Sequence, residues 1–257
     1  MKKKIAFCLL IFVVITVSGH EFWIQPDKFI YKRGEKINIK FLVGENFKGE
    51  NWTGDKDKVT SLRYFFDNLG NNNGDSLQIA MLDEGTAMIS LNTKNSFIEL
   101  PSAKFNEYLR EEGLREVLEY RKKNGDTIKN GLEYYQRSVK TIFQVGKKTT
   151  DAWKQQTELP LDIVPAEHPY TVVKDGNFKV KIFFRGGKLK KSKVKVWHKL
   201  DNKVSQVEYT TDDDGEIKFF LSPEGEWMVS CVKMVRLQKD PQAEWQNYWG
   251  SLTWGYY

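Results

Sequence analysis

Beyond the first twenty residues, hydrophobic positions recur two apart along the chain. Ile37, Ile39 and Phe41 interleave with Asn38 and Lys40, the spacing that turns one face of a strand toward a core and the other toward water. Strands are also predicted over 29–31, 59–66, 77–81, 86–91 and 96–100. Between them lie the turn Arg33-Gly34, a polar loop over 46–57 and the turn Asn71-Asn72-Asn73-Gly74.

The period then lengthens. Over 102–123, Phe105, Leu109, Leu114, Val117 and Leu118 form one stripe at helical spacing, with Ser102 placed to cap it and Gly125-Asp126 to end it. A second helix is predicted over 130–145, with Leu132, Tyr135, Val139 and Ile142 or Phe143 inward. Together they read as a helical hairpin set into a β domain.

After Leu159-Pro160 the short period returns. Strands are predicted over 178–184, 193–200, 204–210, 217–221 and 227–235, separated by glycine- or asparagine-bearing turns, a spacing that suits a small sandwich. Thr211-Asp212-Asp213-Asp214-Gly215 has the acids of a calcium loop but lacks its closing glutamate, so it reads as a hairpin turn. The expected organisation is an N-terminal β domain over 20–158, with a helical insertion at about 102–145, and a C-terminal β-sandwich over 159–257.

The first nineteen residues have a different pattern. Lys2, Lys3 and Lys4 precede an apolar run from Ile5 to Val17, and Val17-Ser18-Gly19 puts small residues where a signal peptidase cuts. That run is shorter than the roughly 20 residues that cross a bilayer. A cleaved export signal is expected, with the mature chain starting at His20 in the periplasm or outside the cell and not spanning the membrane. The formal charge of +6 falls to +3 once the three lysines are removed, which offers no footprint for nucleic acid. Cys8 goes with the signal, so Cys231 is alone in the mature chain and reads as a buried apolar residue.

Chemistry centres on His20. Cleavage after Gly19 frees an α-amine on the same residue as an imidazole, a two-nitrogen chelate for nickel, cobalt, copper or zinc. Both groups lose a proton near neutral pH, as ligation requires. The other imidazoles are His168, in the irregular stretch Ala166-Glu167-His168-Pro169-Tyr170, and His198, next to Trp197 in a predicted strand. Glu167, His168 and His198 are therefore the candidate partners, each with a bland alternative as a loop or core-edge residue. Met228 and Met234 flank Cys231 and read as packing. Glu111 and Glu112 read as solvated charge on a helix. No nucleophile elbow, zinc-protease helix, phosphate loop or paired-cysteine motif is present, so no catalytic role is expected. The C-terminal Trp245, Tyr248, Trp249, Trp254, Tyr256 and Tyr257 offer either packing or a binding platform.

His20-Glu21-Phe22-Trp23-Ile24-Gln25-Pro26 after a signal peptide resembles the start of domain of unknown function 4198. Similar stretches follow in order: Val43 to Glu50, Phe105 to Leu114, Tyr135 to Lys140, Gln144 to Gly146, Leu159 to Pro165 and Trp249 to Trp254. Members of that family are described as periplasmic components of nickel or cobalt transport. The resemblance implies a metal-binding role with His20 as ligand and a membrane transporter as partner. Some relatives carry a histidine where this chain has Lys233, and others an asparagine where it has His168. The expected fold is mostly β: two sandwiches, immunoglobulin-like or prealbumin-like, with a helical hairpin insertion. The expected function is nickel or cobalt capture or delivery for uptake. The alternatives are a non-catalytic envelope module binding a glycan or protein through its aromatic C-terminus, and a histidine-brace copper oxidase.

Overall fold

A computed structural model describes residues 20–257 except 55, 65–66, 69–74, 82 and 173–175. The predicted export signal and the turn over 71–74 lie outside the described residues. Strands β1 (Glu21–Pro26), β2 (Ile30–Tyr31), β3 (Lys36–Glu45), β4 (Lys48–Asn51), β5 (Val59–Tyr64), β6 (Asp67–Asn68), β7 (Ser76–Ala80), β8 (Gly85–Thr93) and β9 (Ser96–Leu100) precede two helices, α1 (Ser102–Glu111) and α2 (Arg115–Lys123). Then come β10 (Gly131–Val145), β11 (Leu161–Pro165), β12 (Gly176–Phe184), β13 (Gly187–Lys188), β14 (Lys193–Leu200), β15 (Lys203–Thr210), β16 (Glu216–Leu221), β17 (Glu226–Arg236) and β18 (Trp245–Gly255).

The protein is mostly β, as the alternating pattern predicts. Its spine is a ten-stranded sheet ordered β15-β14-β17-β18-β10-β8-β5-β6, with β2 and β9 joining at β10. β18 and β10 run parallel in register from Glu133↔Trp245 to Thr141↔Thr253, so strands from both halves of the chain share this sheet. A sheet of β1, β3, β4 and β7 and a sheet of β11, β12, β13 and β16 pack against it.

Alternation along each spine strand shows which cover lies where. Val139 and Phe143 of β10 join Phe22, Ile24, Ile39 and Phe41 of the first cover sheet. Ile142 of β10, Leu252 of β18 and Val229 of β17 join Ile163, Phe178 and Ile217 of the second. The two covers therefore lie on opposite faces of the spine. Each large side chain buried this way stabilises the fold by about 1.5–3 kcal/mol.

Two local predictions are corrected. Residues 131–145 form β10, not a second helix. β10 is covered on both faces along its C-terminal half, so the period-two contrast between apolar and polar positions is lost there. What remains is a spacing of three and four that imitates a helix. The predicted helix over 102–123 is two: Gly113, at φ +70°, ends α1, and the chain re-enters α2 two residues later. Ser102 is the first residue of α1 rather than its cap, a position held by Pro101 with no side-chain cap bond. The helices pack Phe105, Leu109, Val117 and Leu118 onto Val232, Met234 and Trp245 of the spine. A Cβ on Gly131 would come within 2.1 Å of the Phe105 ring, so β10 needs glycine where the helix crosses it.

The aromatic C-terminus is mostly packing. Trp245, Tyr248 and Trp254 are buried, and Trp249 stacks on Tyr108. Tyr256 donates its hydroxyl proton to the Pro169 carbonyl (2.8 Å). Residues 211–215 form the expected turn, in which Asp212 accepts the backbone N–H groups of Asp214 and Glu216. Cys231 is buried, and that burial pushes its thiol up to about 12. Among the described residues, no helix is long and apolar enough to cross a membrane.

Candidate functional site

β1 has two buried faces. Phe22 and Ile24 point into the first sandwich core, while Trp23 packs with Phe47, Trp197 and Met228 on the spine. The strand is strapped down from below: the Ser251 and Thr253 hydroxyls of β18 donate to the Phe22 and Ile24 carbonyls, both at 2.7 Å. His20, just before this strand, is thus fixed in position although its side chain is about half exposed. Its Nε2 lies 3.6 Å from Glu45 Oε1, at the end of β3.

Beside Glu45 a cavity of about 310 Å³ opens between β1, the end of α1, β14 and β15. Its lining carries five carboxylates, Glu21, Glu45, Glu111, Glu112 and Glu208, against two ammonium groups, Lys193 and Lys195. Glu21 and Glu112 are its buried part, with the partly buried Lys195 between them. Lys195 Nζ lies 2.7 Å from Glu112 Oε1 and 3.6 Å from Glu21 Oε1. Trp197 Nε1–H donates to Ser230 Oγ, whose hydroxyl donates to Glu21 Oε1, each at 3.2 Å. Burial raises Glu21 to about 7; Lys195 opposes the shift and Glu112 adds to it. Burial likewise raises Glu112 despite the Lys195 ammonium. Burial alone would lower Lys195, but Glu21 and Glu112 together raise it. Glu112 is therefore a correction: it is buried and paired, not solvated.

The three histidines do not converge. His168 Nδ1 accepts the Tyr170 backbone N–H (3.1 Å), so the neutral ring carries its proton on Nε2. Nε2 donates to Thr86 Oγ1 (2.8 Å), and the Thr86 hydroxyl donates to Gln144 Oε1 (2.9 Å). Burial between Trp153 and Tyr170 lowers its pKa. Both nitrogens are therefore occupied: Nδ1 holds the 166–171 segment's own turn and Nε2 ties it to β8. His198 donates Nε2–H to the Glu224 carbonyl (3.0 Å) and stacks on Trp227, ring centres 4.0 Å apart. Glu167 is partly buried near Lys179, whose main partner is Glu216. Among the described residues no three histidine, cysteine, aspartate or glutamate side chains cluster as a ready metal cage. Glu21, Glu45, Glu112 and Lys195 were not picked out from sequence. The available signal was Glu21, the lone acid of a strand whose next three residues, Phe22, Trp23 and Ile24, are apolar.

The class is a sandwich-built β protein with an acidic cavity at its N-terminal strand. The family model for a domain of unknown function, DUF4198, matches residues 17–234, and the chain belongs to that family. None of the curated proteins compared matches it. Among solved structures, the D0-D1 domain of intimin is 14% identical, with 90% of this chain and 97% of that one covered and a TM-score of 0.22. Three N-terminal domains of the bacteriophage RB49 outer capsid protein Hoc are 12% identical, with 91% and 59% covered and a TM-score of 0.22. Trypsin-activated alpha-2-macroglobulin from Escherichia coli is 8% identical, with 93% and 16% covered and a TM-score of 0.20.

Proposed function

We propose that this is an exported, non-catalytic binding protein for a divalent transition-metal ion. Nickel or cobalt is favoured, captured in the periplasm for a membrane uptake system. His20 supplies the imidazole and, once residues 1–19 are removed, the α-amine; Glu45 supplies a carboxylate. The observation that carries this reading is the His20–Glu45 approach at the rim of the acidic cavity. With metal–nitrogen and metal–oxygen bonds of about 2.0–2.2 Å, two donors on one tetrahedral ion stand about 3.4 Å apart. The chelate with the α-amine uses Nδ1, so the half-exposed ring must turn to present that nitrogen; with 3.6 Å between Nε2 and Oε1, the ring already lies beside the carboxylate at about this spacing. The surplus of carboxylates nearby favours a cation over an anion. His168 and His198 have no part in this reading.

The test is calorimetric titration of nickel and cobalt into processed protein whose first residue has been confirmed by N-terminal sequencing. One ion should bind per chain, and His20→Ala should abolish it. Glu45→Gln should weaken it by about tenfold, while His198→Ala should leave it unchanged. Affinity should fall as pH drops, because the ligands must be deprotonated. Equal binding by His20→Ala would end the proposal.

A further inference from the structure

A second cavity, of about 410 Å³, adjoins the first and shares Glu112, Lys193 and Glu208 with it. It sits between the α1–α2 junction, residues 190–193, β15 and β17. Its charge is opposite. Six cations line it: Arg110, Arg115, Lys190, Lys191, Lys193 and Lys233. The three carboxylates in its wall are already matched: Glu208 to Lys193 at 2.5 Å, Glu116 to Lys233 at 3.4 Å, and Glu112 to Lys195 at 2.7 Å. Arg110, Arg115, Lys190 and Lys191 have no carboxylate within ion-pair distance among the described residues. Asp214 lies within electrostatic reach of Lys190, but four cations without a close ion pair around one cavity still leave it net positive, and a bound anion would be attracted there.

The lysines stand on a fixed loop. Lys191 N–H donates to the Thr211 carbonyl, and Thr211 N–H donates back to the Ser192 carbonyl, each at 3.0 Å. Ser192 N–H donates to Thr211 Oγ1 at 2.9 Å. These bonds hold Lys191 at φ +51°, a left-handed conformation that lysine rarely adopts. α2 begins in the same wall without a side-chain cap, adding its positive end. Beneath the charges the wall is apolar, formed by the buried Leu114, Val117, Val232 and Met234. Cations over an apolar floor suit a compact carbon skeleton bearing two or three anionic groups.

We propose that this cavity binds a small organic polyanion of the polycarboxylate or phosphate-ester class. Arg110, Arg115, Lys190 and Lys191 would hold its charges, and the apolar floor its body. This site uses neither His20 nor a metal. The probes are citrate and inorganic pyrophosphate, titrated separately into metal-free protein at low ionic strength. Citrate should bind one per chain, and Arg115→Gln with Lys191→Gln should weaken it by about tenfold or more, as loss of charge-assisted hydrogen bonds implies. A control variant, Lys48→Gln with Lys203→Gln, should bind as the unaltered protein does, and so should His20→Ala. Tighter binding of citrate than of pyrophosphate would assign the site to carboxylates, and the reverse order to phosphates. Binding of neither probe, or equal weakening in the control, would overturn the proposal. Unfolding midpoints of all variants establish that they remain folded.

Discussion

Two lysines, Lys140 buried and Lys195 partly buried, mark the contacts between the cover sheets and the spine, and they differ in what surrounds them. Lys140 of β10 meets Asp162 of β11 at 2.5 Å, both side chains essentially without exposure. Thr157 supplies two further donors to Asp162, its backbone N–H at 2.6 Å and its hydroxyl at 3.1 Å. One cation faces one carboxylate in a dry seam, where rigid charge pairing fixes how the second cover sheet seats on the spine. Lys195, on the opposite face, is shared between Glu21 and Glu112 and opens on the acidic cavity. There one cation faces two carboxylates, and burial, with the Glu112 carboxylate adding to it, raises Glu21 to about 7. A balanced, sealed pair does structural work. An unbalanced pair beside a cavity leaves charge available to a ligand. A further buried acid extends the series: among the described residues Glu133 of β10 has no lysine partner but accepts a 3.4 Å bond from Asn247, and burial raises it to about 8.

The comparison is broken most severely at the sealed pair. Lys140→Met leaves the Asp162 carboxyl buried without its cation, and should cost about 3–5 kcal/mol in denaturant unfolding. Adding Asp162→Leu should restore part of that loss, because an apolar pair replaces a charged one, while the Thr157 N–H and hydroxyl lose their acceptor. A double variant no more stable than Lys140→Met would show that the seam depends on something other than charge matching.

Lys195→Met should cost less, about 1–3 kcal/mol, because Glu21 and Glu112 can take up protons instead. Both acids are raised in the folded state, so they bind protons there that the unfolded chain has already lost. Stability from such groups falls as pH rises from the unfolded value through the folded one. Removing the lysine extends that window upward. The deficit should therefore be larger at pH 8 than at pH 5, and a deficit independent of pH would contradict the shared-cation picture.

The smallest effect is expected at Glu133, where Gln mimics the protonated acid. Its folded value is raised, so its contribution is full below about 4.5 and declines as pH rises toward about 8. Glu133→Gln should flatten the fall in unfolding temperature between pH 6 and pH 9, with a gain on the order of a few degrees at the alkaline end. Identical profiles for the two proteins would mean that Glu133 is not the protonated group.

The cover strands were legible because they have one wet face. β3 shows Ile37, Ile39 and Phe41 turned inward and Asn38 and Lys40 outward, and the structure buries and exposes them in that order. The second sandwich was legible for the same reason in β12 and β16. β10 misled because it is a middle layer. The candidate site was half legible: His20 follows from the expected cleavage point and Glu45 does not, since nothing local distinguishes it from the other acids. His168 and His198 were visible as imidazoles, but their hydrogen bonds to residues 82 and 26 positions away, Thr86 and Glu224, were not.

Local periodicity therefore determined that the chain is β-rich, where most of its strands lie and which half carries the helices, because those depend on contrasts between near neighbours. Tertiary packing alone decided that the two sandwiches share one spine, that Lys195 is split between two acids, and that the cationic and acidic cavities adjoin. Those features join residues far apart in the chain, and no spacing rule records which distant charge a buried group will meet.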